Sequence, residues 1–123
     1  MSFKDVTDRF ALVSGLNPEE ISKWIFVITD CIKYFESMIE GKKLSDVERM
    51  RVVNACAVYA YYKYSLYKFA DNSSKFKAGD IEITKAESIT DKAHTMWQQE
   101  KSEIGDIVDF DKLRLLCNFF KFC

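Results

Sequence analysis

Residues 52–62 run Val-Val-Asn-Ala-Cys-Ala-Val-Tyr-Ala-Tyr-Tyr, an apolar and aromatic stretch interrupted only by Asn54. They lie behind Ser45 and Glu48, whose Ser-x-x-Glu spacing is a capping box opening a helix that continues to about Ala70. A helix with scarcely any polar face has to be covered on nearly every side. That requirement constrains the fold more than any other feature of the chain. The stretch is followed by Lys63 and falls well short of the ~20 apolar residues that span a bilayer, so no membrane partner is expected.

In a domain of 123 residues the remaining helices are expected to cover about half of such an element. The rest predicts a second partner surface, most simply another subunit. Aromatic residues at helical spacing are usually core, and tyrosine suits an interface where one end of the ring stays wet. The candidate oligomer or partner interface is therefore Val52, Val53, Val58, Tyr59, Tyr61, Tyr62, Tyr64 and Tyr67, with Phe76, Ile81 and Ile83 from the segment beyond the helix.

The surrounding sequence supplies helices to do the covering. Val6, Phe10 and Val13 share one face of a short opening helix over residues 3–13, stopped by Gly15. Asn17, Pro18 and Glu20 make a strong start signal, with Pro at the first helical position and Glu at the third. Behind it Ile21, Ile25, Ile28, Ile32, Phe35 and Ile39 recur at steps of four and three, widened by Trp24, Cys31 and Met38. One continuous helix over residues 18–40, ending at Gly41, is predicted.

After the tyrosine-rich helix, residues 71–74 (Asp-Asn-Ser-Ser) predict a break. In residues 76–84, Ile81 and Ile83 alternate with polar neighbours after Gly79-Asp80, which predicts a short strand or hairpin. Ser88 and Asp91 suggest the start of a last long helix bearing Ile89, Ala93, Met96, Trp97 and Ile104, with Gly105 at its end. Residues 106–123 are ambiguous: Leu113, Leu116, Phe119 and Phe120 fit a helix, while 118–123 also suit an extended tail. One Pro and four Gly argue against a sandwich or barrel, which needs a turn signal about every 8–12 residues. The expected fold is mainly α: one domain over residues 1–123, a small bundle of four to five helices with a short strand or hairpin before the last long helix.

Candidate chemistry is sparse. His94 is the only histidine, with Asp91 three residues before it and Gln98 four after, and a surface or half-buried structural role is far commoner than a catalytic one. Cys31, Cys56, Cys117 and Cys123 show no metal-ligand spacing and no export signal precedes them, so reduced, intracellular thiols are expected, with no metal and no cofactor. Gly79 stands alone, not in a phosphate-cradling cluster. The net charge is −1, yet residues 16–41 hold two basic and five acidic groups while 42–70 hold six and two. The basic run Lys42, Lys43, Arg49 and Arg51 is a candidate for DNA phosphate contact and equally a solvated helix start beside the acidic helix. The flanking helices are too long for a compact helix-turn-helix. A small regulatory or nucleic-acid-binding helical protein is the alternative reading.

The order of these pieces carries a resemblance. A short helix, the Asn17-Pro18-Glu19-Glu20 start of a long amphipathic helix, the tyrosine-rich helix, the Phe-Lys-Ala-Gly-Asp-Ile-Glu-Ile-Thr segment at 76–84 and a last helix with Trp97 together resemble the head–tail connector (adaptor, head-completion) proteins of tailed bacteriophages and prophages. The likeness covers residues 5–105 and rests on layout, not on invariant residues. It implies a helical protomer that forms a ring by protein–protein contacts between the portal and the tail or stopper proteins, with no reaction of its own. It also implies non-specific contact with channel DNA, and residence in the bacterial cytoplasm during assembly and then in the virion.

Overall fold

A computed structural model describes the backbone of residues 1–75 and 80–108 and the side chains of 1–69 and 89–108. The described residues form five helices: α1 (Phe3–Ser14), α2 (Pro18–Lys23), α3 (Ile25–Ile39), α4 (Asp46–Lys75) and α5 (Asp80–Glu103). The mainly helical class is as expected, and no strand occurs among the described residues. None of these helices is long and apolar enough to cross a membrane.

Local start and stop signals act where the sequence places them. Ser2 caps α1 by accepting from Asp5 N at 3.3 Å, and Gly15 ends it at φ 71°, a left-handed conformation open to glycine at little cost. At α2, Asn17 Oδ1 accepts from Glu20 N at 2.8 Å, but the Glu20 carboxylate turns to Lys23 Nζ at 3.1 Å and leaves the box half made. The Ser45 box is complete: Ser45 N donates to Glu48 Oε1 at 3.0 Å and Glu48 N to Ser45 Oγ at 3.2 Å. Hydrogen bonding to the Glu48 carboxylate from Ser45, by its backbone N–H first and then its hydroxyl, with Arg51 nearby, holds that carboxyl below its usual range.

The helix predicted over 18–40 is broken at Trp24. There the ladder tightens to three-residue steps, with Trp24 N donating to Ile21 O (2.9 Å) and Val27 N to Trp24 O (3.1 Å). The tightened turn rotates α3 out of the register that α2 would impose on a continuous helix. Ile25, placed by periodicity on the apolar stripe, is 37% exposed, and Val27 is buried. Ile21, Ile28, Cys31, Ile32, Phe35 and Met38 keep to the buried face as predicted.

Two further expectations fail for one reason. Residues 71–74 do not break α4, which runs to Lys75, and residues 80–84 are not a strand but the first turn of α5, which begins eight residues before Ser88. Extending a helix already formed adds a hydrogen bond per residue fixed, whereas low-propensity Asn and Ser each cost only a few tenths of a kcal/mol. Four alternating residues are too short a run to outweigh a helix free of Gly and Pro from 80 to 104. Residues 76–79 of that segment, Phe76 among them, lie outside the described residues. So do residues 109–123, while 106–108 close a turn in which Ile107 N and Val108 N donate to Ile104 O at 2.9 and 3.0 Å.

Helix α4 is the axis of the bundle and packs against α1, α3 and α5. Val52, Ala55, Cys56, Ala57, Val58, Ala60 and Tyr64 are buried on it, facing Val6 and Phe10 of α1, Ile28 to Met38 of α3, and Ala93, Trp97 and Ile104 of α5. The small residues Ala55, Ala57 and Ala60 let neighbouring helices approach on several sides at once. The two polar interruptions are satisfied: Asn54 Nδ2 donates to Glu100 Oε1 at 2.9 Å, and buried Ser65 Oγ donates to Tyr62 O at 2.7 Å. Burial raises the Glu100 pKa against the opposing effect of that Asn54 bond. Lys42 Nζ ties the α3–α4 turn to the end of α5 by donating to Ile107 O at 2.8 Å.

Candidate interaction surfaces

The chain's own helices cover most of the predicted interface. Val52, Val58 and Tyr64 are buried, Val53, Tyr59, Tyr61 and Tyr62 are half-buried, and Tyr67 alone of the described candidates is freely exposed at 54%. The side chains of Ile81 and Ile83 lie outside the described residues. The middle of α4 is thus covered within one protomer, and the open surface lies toward its two ends.

Toward the C-terminal end, the break at Trp24 builds an aromatic patch. Trp24 packs edge-on against Tyr64 at 4.8 Å and 86°, and Phe10 meets the same tyrosine at 6.1 Å and 89°. Over this base lie Phe26, 5.9 Å from Trp24, and Tyr67, 5.7 Å from Phe26. Phe26 is 51% exposed, and Ile25 and Leu66, their sequence neighbours, are also open to solvent. Lys68 Nζ stands 5.8 Å over the Tyr64 ring, a cation–π contact at the edge of the patch. The Trp24 indole N–H is buried without a hydrogen-bond acceptor among the described residues.

At the other end, α1 and the first turns of α4 enclose a groove of about 360 Å³ lined by Asp5, Asp8, Arg9, Leu12, Arg49, Met50 and Val53. Leu12 is 75% exposed and Met50 and Val47 64% each, the most exposed large hydrophobic residues described. Lys42, Lys43, Arg49 and Arg51 are all exposed, but they do not make a uniform basic face: Lys42 is engaged with Ile107, Arg49 lines the groove with Asp5 and Asp8, and Asp46 and Glu48 are interleaved.

Titratable groups inside the bundle are structural in their surroundings. Burial pushes the Cys31 thiol up to about 12 and Cys56 still higher, so both are protonated core thiols. Burial likewise raises Tyr34, Tyr59 and Tyr61. Cys117 and Cys123 lie outside the described residues. His94 is exposed on α5, 3.3 Å from Gln98 Nε2 and 5.2 Å from the Tyr62 ring. Among the described residues no three His, Cys, Asp or Glu side chains converge as metal ligands would.

Periodicity found Tyr67 but missed its partner Phe26, because a continuous helix gives no hint of the turn at Trp24. It also missed Leu12 and Met50, which interrupt otherwise polar helix faces and so stand apart from the core stripes. No family model matches the chain, and no curated protein or solved structure does.

Proposed function

We propose that this protein is an assembly component acting through protein–protein contacts, and specifically a head–tail connector of a tailed bacteriophage or prophage. In this reading copies join into a ring between the portal and the tail or stopper proteins, in the bacterial cytoplasm during assembly and in the finished virion thereafter. The observation that carries it is the Phe26–Tyr67 patch. Interface cores are enriched in Phe, Tyr and Trp, and two rings more than half exposed on a packed tryptophan form the kind of anchor that a partner surface buries. Of the layout that motivates the resemblance the helical order is kept, while the helix over 18–40 is broken at Trp24 and residues 80–84 are helical.

Non-specific contact with channel DNA belongs to the same proposal, with Lys43 and Arg51 the exposed basic groups best placed to serve it. The test is direct. Purified protein examined by negative-stain microscopy at high concentration is expected to form rings, and a portal gene beside its own is expected to encode a protein that it binds. Metabolic or regulatory neighbours in the genome, together with a protein that neither oligomerises nor binds a portal, would sink the reading.

A further inference from the structure

The protomer's two open surfaces are unlike in shape and alike in leaving charges unpaired. At the patch, Phe26 and Tyr67 stand on the packed Trp24 and Tyr64, 51% and 54% exposed. About 25 Å back along α4, counted from Tyr67 to Met50 at 1.5 Å per residue, the α1–α4 groove is a hollow of about 360 Å³. Val53 is half-buried in it, while Leu12 and Met50 are strongly exposed on its walls. Neighbouring exposed apolar side chains with a polar rim mark a contact surface.

The charges of the two surfaces are complementary. Lys63, one helical turn before Tyr67, and Lys68, next to it, stand over the Tyr59 and Tyr64 rings at 5.5 and 5.8 Å. Asp30 is exposed one turn beyond Phe26. The groove holds Asp5, Asp8 and Arg9 on α1 and Arg49 on α4. None of these groups forms an ion pair among the described residues. The patch thus offers two amines to a groove with two carboxylates, and one carboxylate to a groove with two guanidinium groups.

Other pairings of two copies are poorer. Patch on patch brings Lys63 and Lys68 toward their own counterparts, a like-charge approach that disfavours association. Groove on groove sets hollow against hollow and forfeits packing across the unfilled space. Patch in groove places two aromatic anchors in a pocket, the usual arrangement at the centre of an interface.

We propose that the α1–α4 groove of one copy receives the Phe26–Tyr67 patch of the next. The inference rests on the reading of that patch as an assembly surface and supplies its acceptor. A contact between two different faces builds a ring when its rotation closes.

Mixing two damaged copies tests it. Leu12→Asp/Met50→Asp blocks the groove, and Phe26→Ser/Tyr67→Ser removes the patch. By light scattering, at concentrations where the wild-type chain associates, each double variant alone is expected to stay at the 14.3 kDa of one chain. An equal mixture should reach twice that mass and go no further, because one intact patch meets one intact groove. A groove variant that associates as the wild type does would overturn the inference and leave the patch's assembly role standing. A mixture that stays at the mass of one chain would overturn it as well. A wild-type chain that never associates also overturns it, and portal binding then decides the assembly reading separately. Should a variant fail to fold, native residues give the answer. Carbodiimide treatment of mixed ¹⁴N and ¹⁵N wild-type chains is expected to yield mixed-isotope peptides joining Lys63 or Lys68 to Asp5 or Asp8. Links between chains at other sites only, or no links between chains, would overturn the inference.

Discussion

The two tryptophans lie in aromatic clusters of similar composition and opposite exposure. Trp97 of α5 is wedged between Tyr59 at 4.6 Å and Phe35 at 5.9 Å, with Tyr34 stacked on Tyr59 at 5.3 Å, and it is only 6% exposed. Trp24 is set among Tyr64, Phe10 and Phe26, and its cluster opens to solvent through Phe26 and Tyr67. The difference is one of covering elements. Three helices meet at each, α3, α4 and α5 around Trp97 and α1, α3 and α4 around Trp24, but beside Trp24 the turn from α2 into α3 leaves Phe26 and Tyr67 at the surface. Aromatic density therefore marks core or interface according to what packs over it, and the apolar circumference of α4 is by itself no measure of the surface left for a partner.

The contrast is sharpest in stability. Trp97→Ala or Phe35→Ala should each cost about 3–5 kcal/mol in urea denaturation, the usual loss for a buried aromatic. A loss below about 1 kcal/mol would mean that the α3–α4–α5 cluster is not packed as described.

A smaller effect is expected from pH. The core thiols Cys31 and Cys56 and the Tyr59 phenol have pKa values raised by burial, so folding favours their neutral forms. Their contribution to stability is complete below the ordinary thiol value of 9.0 and is lost as pH rises from there through about 12. Stability measured between pH 7 and 11 should hold level and then fall, and Cys31→Ala should flatten part of the decline. A decline already complete by pH 8 would contradict the burial of these groups.

Changes at a helix end or on the open patch should weigh less. Ser45→Ala should cost about 1 kcal/mol by removing half of the box that starts α4. Smaller still, Phe26→Ser and Tyr67→Ser should each cost about 1 kcal/mol or less: Phe26 loses its ring contacts to Trp24 and Tyr67 and Tyr67 loses the one to Phe26, but both rings are already more than half exposed. Glu100→Gln should be close to neutral at pH 7: it removes a carboxylate whose ionisation burial disfavours, while an amide oxygen still accepts from Asn54. A strong destabilisation would show that the Glu100 charge itself holds α4 to α5.

What was legible in the sequence was local chemistry. Gly15 and Gly41, at φ 71° and 78°, end their helices, and the Ser45–Glu48 box starts the next. The buried face of α3 could be read from spacing because it depends only on the period. What was illegible depended on competition between segments. Asp71 to Ser74 look like a loop in isolation, yet a long helix carries through them, and Asp80 to Thr84 alternate like a strand but are drawn into α5. The turn at Trp24 has neither Pro nor Gly to announce it, so the exposure of Ile25 and Phe26 was hidden, and with it half of the aromatic patch. Tyr67 was found because it continues the tyrosine series of α4, and that series alone could not say which tyrosines the chain covers itself.

The patch is tested most directly by measuring mass against concentration with multi-angle light scattering, for the wild-type chain beside the Phe26→Ser/Tyr67→Ser double variant. The wild-type mass should rise above that of one chain as concentration increases, while the double variant, with a nearly unchanged thermal melt, stays monomeric. Equal masses for the two proteins at every concentration, together with equal binding to the portal, would contradict the assignment of this surface to assembly.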